Sequence, residues 1–270
     1  MLPSVPLANV SLVAARDARV RFQESPRGYF VDGVRMGKSV TELVHKYFKP
    51  FVPLSVARGM LQKDDFFQLE KYREYWPLKD DNLEASINRL IAAWEETSRL
   101  GTEMHQTIED WYNTGKELPD CNESRFFLQF HQYAISLGCT PLKSEQILWS
   151  KKYNLAGCCD MLYLVPREKC AHILTATDQR TSVWLVDWKR TKDISQEGFG
   201  KGVGLCSHKP DCNFQHYSLQ LNIYKYLIER CYGLVVVRMT MVILHPKQER
   251  YLSFEVTSDQ ALVRRILRAS

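Results

Sequence analysis

The sequence predicts an α/β fold, in which helices flank a central mixed β-sheet and a mostly helical lobe precedes them. Three observations carry that prediction. Before residue 140, apolar residues recur at three- and four-residue spacing over two long stretches, which marks helices. Three runs rich in β-branched and aromatic residues follow, "EQILWS", "YNLAGCCDMLYLV" and "VWLVDWK", and read as strands. Another helical stretch then separates these from two more strands, an order that lays helices on a mixed sheet. The lobe is expected over 1–80, packed on a core over 81–270 as one compact unit.

The first helix is expected over 82–114, where Leu83, Ile87, Leu90, Ile91, Trp94, Met104, Ile108 and Trp111 recur on one face. Gly101 is expected to interrupt it. A second helix, 123–137, stops at Gly138, a residue suited to the left-handed position after a helix. The strands are expected at 145–150, 153–165 and 183–189, with a polar link from Pro166 to Ser182 between the last two. A helix over 214–231, strands near 234–245 and 250–256, and an amphipathic helix from Ser258 complete the core. In the lobe, Ser39 or Thr41 caps a short helix, with Glu42 in the capping-box position relative to Ser39. The nearby "GVRMGKS" has one residue too few between its glycines for a phosphate-binding loop, and no buried strand precedes it.

Composition bounds the function. The 270 residues are 45% hydrophobic and 25% charged, which excludes a disordered chain. No run approaches the roughly 18 apolar residues of a membrane span. A net charge of +5 is compatible with a polyanionic partner. Eight cysteines without a secretory leader read as reduced thiols of an intracellular protein, whether nuclear, cytoplasmic or mitochondrial. The basic N-terminus, with Arg16, Arg19 and Arg21, reads either as a mitochondrial presequence or as a first strand. Both ends are abrupt, as in a domain cut from a longer chain.

Within "SVWLVDWKRTKD", Val183, Leu185, Asp187 and Lys189 share one face of a strand, and Trp184, Val186 and Trp188 share the other. Asp187 therefore stands where a core would continue, and a buried carboxylate needs a cation. Asp160 lies in the preceding strand after Gly157. If the two strands are neighbours, both acids reach one point at the end of the sheet, and two carboxylates there stay ionised only around a cation such as Mg²⁺ or Mn²⁺. Lys189 then faces any anion bound to that cation. His105 and Glu109 share a helix face at i and i+4 and offer further ligands. On the later helix His216, Gln220 and Tyr224 form a polar row beside an apolar stripe. Cys206, His208, Cys212 and His216 have roughly zinc-like spacing, but the glycines before them read as a flexible loop near a phosphate backbone. Arg190, Lys192 and Lys201 are candidate phosphate contacts. Trp149, Trp188 and Tyr153 are candidates for base stacking.

Taken in order, G-x-x-x-H-x-x-x-E on a helix, G-x-x-D, V-D-W-K and Q-x-x-x-Y on a helix resemble the PD-(D/E)XK nuclease superfamily. Within it the chain is similar to the RecB-like exonuclease branch, with its mitochondrial genome-maintenance exonucleases and related viral nucleases, from about Trp94 to Glu229. The resemblance implies a restriction-endonuclease-like core and Mg²⁺- or Mn²⁺-dependent hydrolysis of DNA, at ends of single strands. Endonuclease action, or a silent nucleic-acid-binding module, is the alternative. It implies metal ligands at His105, Asp160, Asp187 and the Trp188 carbonyl, with Glu109 as a further one. It also implies a catalytic Lys189, and Gln220 and Tyr224 positioning the site or the nucleic-acid backbone. The sequence departs from the pattern in its long 166–182 link and in Arg190 standing where threonine is common. No iron–sulfur cluster is expected.

Overall fold

The computed structural model describes residues 11–63, 65–170, 173–174, 178–198 and 200–270. The chain falls into two units, one of residues up to Lys49 together with His105–Ser270, the other Pro50–Met104. The expected boundary near residue 80 falls inside the second.

The first unit opens with helix α1 (Ser11–Asp17) and strands β1 (Val20–Glu24), β2 (Arg27–Val31) and β3 (Val34–Arg35), which pair in that order as an antiparallel sheet. Of the N-terminal stretch read as a strand or as part of a presequence, Ser11–Asp17 is a helix and residues 20–22 lie in a strand. The short strand β4 (Lys38–Ser39) leads into α2 (Val40–His45). Ser39 caps α2 as expected: its hydroxyl accepts from the Glu42 backbone at 3.1 Å, and the Glu42 carboxylate accepts from the Ser39 backbone at 2.6 Å.

The second unit holds α3 (Pro53–Leu61) and most of α4 (Leu83–Thr114), around Ala57, Ile87 and Leu90. Helix α4 runs through Gly101 without a break. An interior glycine costs a helix only about 1 kcal/mol. Arg99 pairs with Glu96 at 2.7 Å and with Glu103 at 3.0 Å, so ion pairs bracket the weak point.

The rest of the first unit is α5 (Asn122–Ser136), β5 (Thr140–Ser150), β6 (Leu155–Leu164), β7 (Ser182–Lys189), α6 (Asn213–Cys231), β8 (Val235–Ile243), β9 (Leu252–Glu255) and α7 (Gln260–Ala269). The central sheet has the order β4-β6-β7-β8-β9, with β5 also paired to β6. It is mixed: β4–β6 and β7–β8 are parallel, while β5–β6, β6–β7 and β8–β9 are antiparallel. The predicted α/β architecture with a central mixed sheet is therefore present.

Alternation along β7 sorts its side chains as the sequence predicts. Val183 and Leu185 join a core shared with α2, α6 and α7. Trp184 and Trp188 meet Phe127 and Phe130 of α5 edge-on, at centroid distances of 5.3 to 5.6 Å. Trp188 is fully buried, so it cannot stack on a base. Trp149 is buried too, with the Arg16 guanidinium 3.7 Å above its ring. On α4, Tyr112 lies two turns beyond His105. Its hydroxyl is 2.6 Å from that of Tyr163 on β6 and 2.9 Å from His131 Nδ1. Burial depresses His131 to about 4, so this knot is neutral and pins the end of α4 to the sheet. None of the helices is long and apolar enough to cross a membrane, among the described residues.

Candidate active site

The site forms where two strands part. On one side β6 is paired with β5 almost throughout. On its other side β4 pairs only with Leu155 and Ala156, and β7 only from Met161 to Leu164. The β6–β7 ladder ends at Met161↔Val186, and the next opposed positions are Asp160 and Asp187. Beyond that point β7 stays in register with β8 as far as Lys189↔Ile243. A backbone amide freed by such a parting must find another acceptor. The Trp188 amide finds Asp160 Oδ2 at 2.7 Å. The Trp188 carbonyl lies 3.0 Å from His105 Nε2. Asp160 and Asp187 are 7% and 2% exposed.

The structure adds an acid that was not singled out from sequence. Glu145 sits on β5 between the pairs Ser144↔Met161 and Gln146↔Cys159, opposite Asp160. Its φ is +47°, a left-handed conformation that costs a non-glycine residue about 1–3 kcal/mol and tends to occur at functional sites. Its Oε1 lies 3.5 Å from His105 Nδ1, and Oε2 accepts from the Cys158 thiol at 3.2 Å. Asp160 Oδ2 is 3.7 Å from the same imidazole nitrogen. The ligand atoms of His105, Glu145 and Asp160 all lie within 4.8 Å of one another, a grouping able to hold a metal ion.

Lys189 and Asp187 complete the cluster. Lys189 Nζ is 2.6 Å from Asp187 Oδ2 and 4.7 Å from the centre of the Tyr217 ring. This is a close ion pair in which both side chains are largely buried. The grouping of two carboxylates and an imidazole, with a third buried carboxylate close by on β7, fits a hard divalent cation. A donor set of carboxylate and carbonyl oxygens with one imidazole suits Mg²⁺ or Mn²⁺ better than a soft metal.

The electrostatics are those of a site awaiting positive charge. Burial lifts Asp187 to about 6, against the pull of Lys189. Burial also lifts Asp160, against His105 and Lys189. Burial opposes protonation of His105, but Asp160 and the Glu145 contact outweigh it and hold the imidazolium to about 9. Burial likewise opposes charge on Lys189, and Asp187 and Asp160 overcome it. Both Asp187 and His105 are raised, so without metal their stability contributions are complete at low pH and are lost as pH rises through about 6 and about 9. Metal binding runs the other way, because a bound cation must displace those protons. Apparent Mn²⁺ affinity is therefore expected to rise by up to about tenfold per pH unit between 6.5 and 8.5 and to level off above about 9. Calorimetric titrations in buffers of differing ionisation enthalpy measure the proton released.

The remaining predicted residues divide. Glu109 is half-buried and raised by burial and by nearby Glu145, and it accepts from Gln106 at 3.2 Å. It is outside the metal-holding group. Gln220 donates to the Tyr224 hydroxyl at 3.0 Å. Tyr224, expected at the nucleic-acid backbone, is 2% exposed and lies beneath β6, so it supports the strand and cannot touch a surface ligand. His216, expected there too, is engaged by Asp211 at 2.7 Å and lies against the Phe48 ring at 3.9 Å. Arg190 is withdrawn from any phosphate by Glu123, 3.0 Å away, with both side chains largely buried. Lys192 and Lys201 are exposed. Cys206 and Cys212 are buried, His208 is exposed, and burial holds the Cys206 thiol up to about 11. Among the described residues these three form no metal-holding group.

Gly157 is required by close approach. A Cβ there would lie 2.8 Å from Val40 Cγ2 of α2 and 2.9 Å from Tyr224 Cε1 of α6. Gly157→Ala is expected to destabilise the protein by about 1–3 kcal/mol, lowering the denaturation midpoint at unchanged slope in a urea titration.

No protein-family model matches the chain, and no curated protein matches it. Solved structures do. The crystal structure of SSO0001 aligns over 86% of this chain and 72% of its own, at 12% identity and a TM-score of 0.31. That of an alkaline exonuclease (LHK-Exo) from Laribacter hongkongensis aligns over 84% of this chain and 89% of its own, at 12% identity and a TM-score of 0.28.

Proposed function

We propose that the chain is a divalent-metal-dependent nuclease that hydrolyses DNA phosphodiester bonds, acting as an exonuclease on ends of single strands. The observation that carries the reading is the metal-holding group of His105, Glu145 and Asp160 with the buried Asp187–Lys189 ion pair next to it, where β6 and β7 part. His105, Glu145, Asp160, Asp187 and the Trp188 carbonyl would hold Mg²⁺ or Mn²⁺. When bound, such an ion makes water a stronger nucleophile at neutral pH and polarises a phosphoryl oxygen.

The chain's own groups do the rest. Asp160 fixes the Trp188 peptide by accepting its amide, which keeps the carbonyl turned toward His105. Lys189, confined between Asp187 and the Tyr217 ring, presents a fixed positive charge. That charge orients the attacked phosphate and stabilises the negative charge developing on it. Tyr224, which accepts from Gln220, braces β6 from α6 at Gly157, three residues before Asp160. DNA as substrate and end-dependence rest on the resemblance to RecB-like exonucleases.

The test incubates end-labelled linear and closed circular single-stranded DNA with Mg²⁺, Mn²⁺ or EDTA, for wild type and Asp187→Asn. Metal-dependent loss of linear DNA alone, absent in the variant, is the expected result. Cutting of circles would convert the reading to an endonuclease. DNA bound but never cut would make the chain a silent binding module.

A further inference from the structure

We propose that a basic cavity at the start of β6 is a second contact for the DNA strand, which grips its phosphates well away from the bond being cut. This rests on the nuclease reading for its ligand. The cavity, of about 690 Å³, is walled by Lys38, Lys152, Tyr153, Tyr226, Arg264 and Arg268, and no acidic residue lines it. Among the described residues no carboxylate forms an ion pair with any of these four cations. The neighbouring Lys151, by contrast, is spent on Asp32 at 2.6 Å, and Arg19 on the same carboxylate at 2.7 Å. Burial, and then the like charge of Lys46, make the Lys38 ammonium easier to deprotonate, the signature of a cation lacking its anion.

The sequence builds this cavity deliberately. Helix α7 buries Leu262, Val263, Ile266 and Leu267 and carries three arginines and no acid between Gln260 and Ala269. Two of them, Arg264 and Arg268, share the face turned to the cavity, one turn apart. On the other wall Asn154 takes a left-handed conformation, φ +47°, and accepts from the Gly37 amide at 2.8 Å. A Cβ on Gly37 would lie 2.3 Å from the end of that side chain, so a larger residue there would displace the Asn154 amide. The Tyr153 and Tyr226 hydroxyls meet at 2.9 Å, and the Lys152 ammonium lies 5.3 Å from the centre of the Tyr153 ring. Paired guanidinium and ammonium groups bind phosphate oxygens, and aromatic rings beside them take unstacked bases.

Strand pairing relates the cavity to the acids: Lys38 stands opposite Leu155 at the start of β6, and Asp160 lies five residues further along that strand. A second cavity of about 670 Å³, with Arg27, Tyr29 and Arg35 in its wall, shares Gly37 and Lys38 with the first. From Leu155 to Asp160 along β6 is about 17 Å at a strand's rise, a span of several nucleotides. The chemistry is that of a polyphosphate chain, and the shape is that of a track. A free nucleotide or inorganic polyphosphate presents the same charge without the length.

The experiment measures binding of fluorescent dT16 by anisotropy in EDTA, at salt from 50 to 200 mM. It compares wild type, Arg264→Ala, Arg268→Ala and, as a charge-matched control outside the cavity wall, Arg265→Ala. All three arginines are exposed, so the variants should fold, which thermal unfolding checks. The first two are each expected to weaken dT16 several-fold and to reduce the slope of log affinity against log salt by about 0.7, while Arg265→Ala leaves the slope unchanged. Equal losses in all three would show a diffuse charge effect and overturn the proposal. So would unchanged dT16 binding, or displacement of dT16 from wild type by tripolyphosphate at equal phosphate concentration. If dT16 binding follows the prediction but no variant or wild type cuts DNA, the nuclease reading fails and the track stands. If DNA is cut and the arginine variants match wild type, the track fails alone.

Discussion

Replacing Lys189 with alanine is expected to lower DNA hydrolysis by about 10²–10³-fold at saturating Mn²⁺ and DNA, with little change in the DNA concentration needed for half-saturation. The magnitude is that of losing one fixed charge or donor from a developing oxyanion. The loss falls on the rate constant because Lys189 is held between Asp187 and Tyr217, where it meets the reacting phosphate rather than the bulk of the strand. Metal affinity should not fall, since the variant removes a positive charge that competes with the cation. Removing one member of a buried pair leaves the other uncompensated. The variant should therefore melt lower in EDTA and recover much of that loss with Mn²⁺. Lys189→Arg should not restore the rate, because a planar fork cannot occupy the place of a compact ammonium. A rate within tenfold of wild type, measured in single turnover, would remove Lys189 from the proposed chemistry.

Glu145→Gln should act through the metal and leave a different signature. The substitution keeps the size of the side chain but removes the charge nearest His105. Metal affinity is expected to fall about 10–100-fold, and the rate deficit should shrink as Mn²⁺ is raised. With that carboxylate neutral, His105 loses one of the two charges that hold its proton, and the pH dependence of metal binding should move toward lower pH. A deficit that persists at saturating Mn²⁺ would mean that Glu145 acts on something other than the metal.

These two residues also mark how much of the site was legible in the sequence. Lys189 was legible because strand alternation places it on the Asp187 face, and burial makes the charges on that face anomalous. Asp160 followed, because strand neighbours bring it opposite Asp187. Glu145 opens an unremarkable strand run, and its only distinction is its register against Asp160, a property of two strands paired across a turn. A similar limit explains Tyr224 and His216, while Arg190 was read from its charge alone, which does not reveal Glu123 beside it. A four-residue spacing reveals that side chains share a face, but not whether that face meets β6 or a loop aspartate. Gly101 misled because an interior glycine costs a helix only about 1 kcal/mol, a cost the Glu96–Arg99–Glu103 pairs partly offset. The cations of the α7 cavity come from three separate segments of the chain, so no window of sequence contains them.

The parting of β6 from β7 has a consequence for the history of such a chain. The two strands form a fork, joined at Leu164 and Val183 and open at Asp160 and Asp187. The residues from Pro166 to Ser182 all leave from the closed end, about 13 Å by strand rise from the open one. Lengthening a link there costs only the slow logarithm of its length. The prongs meanwhile keep their spacing, because β5 grips one and β8 the other. Insertions can therefore accumulate at the stem and remodel the surface freely without disturbing the tips. Insertions of the same size within β5 or β8 would change the gap between the prongs at once. Among descendants of such a chain, length should vary at the stem and hold still in the strands that clasp it.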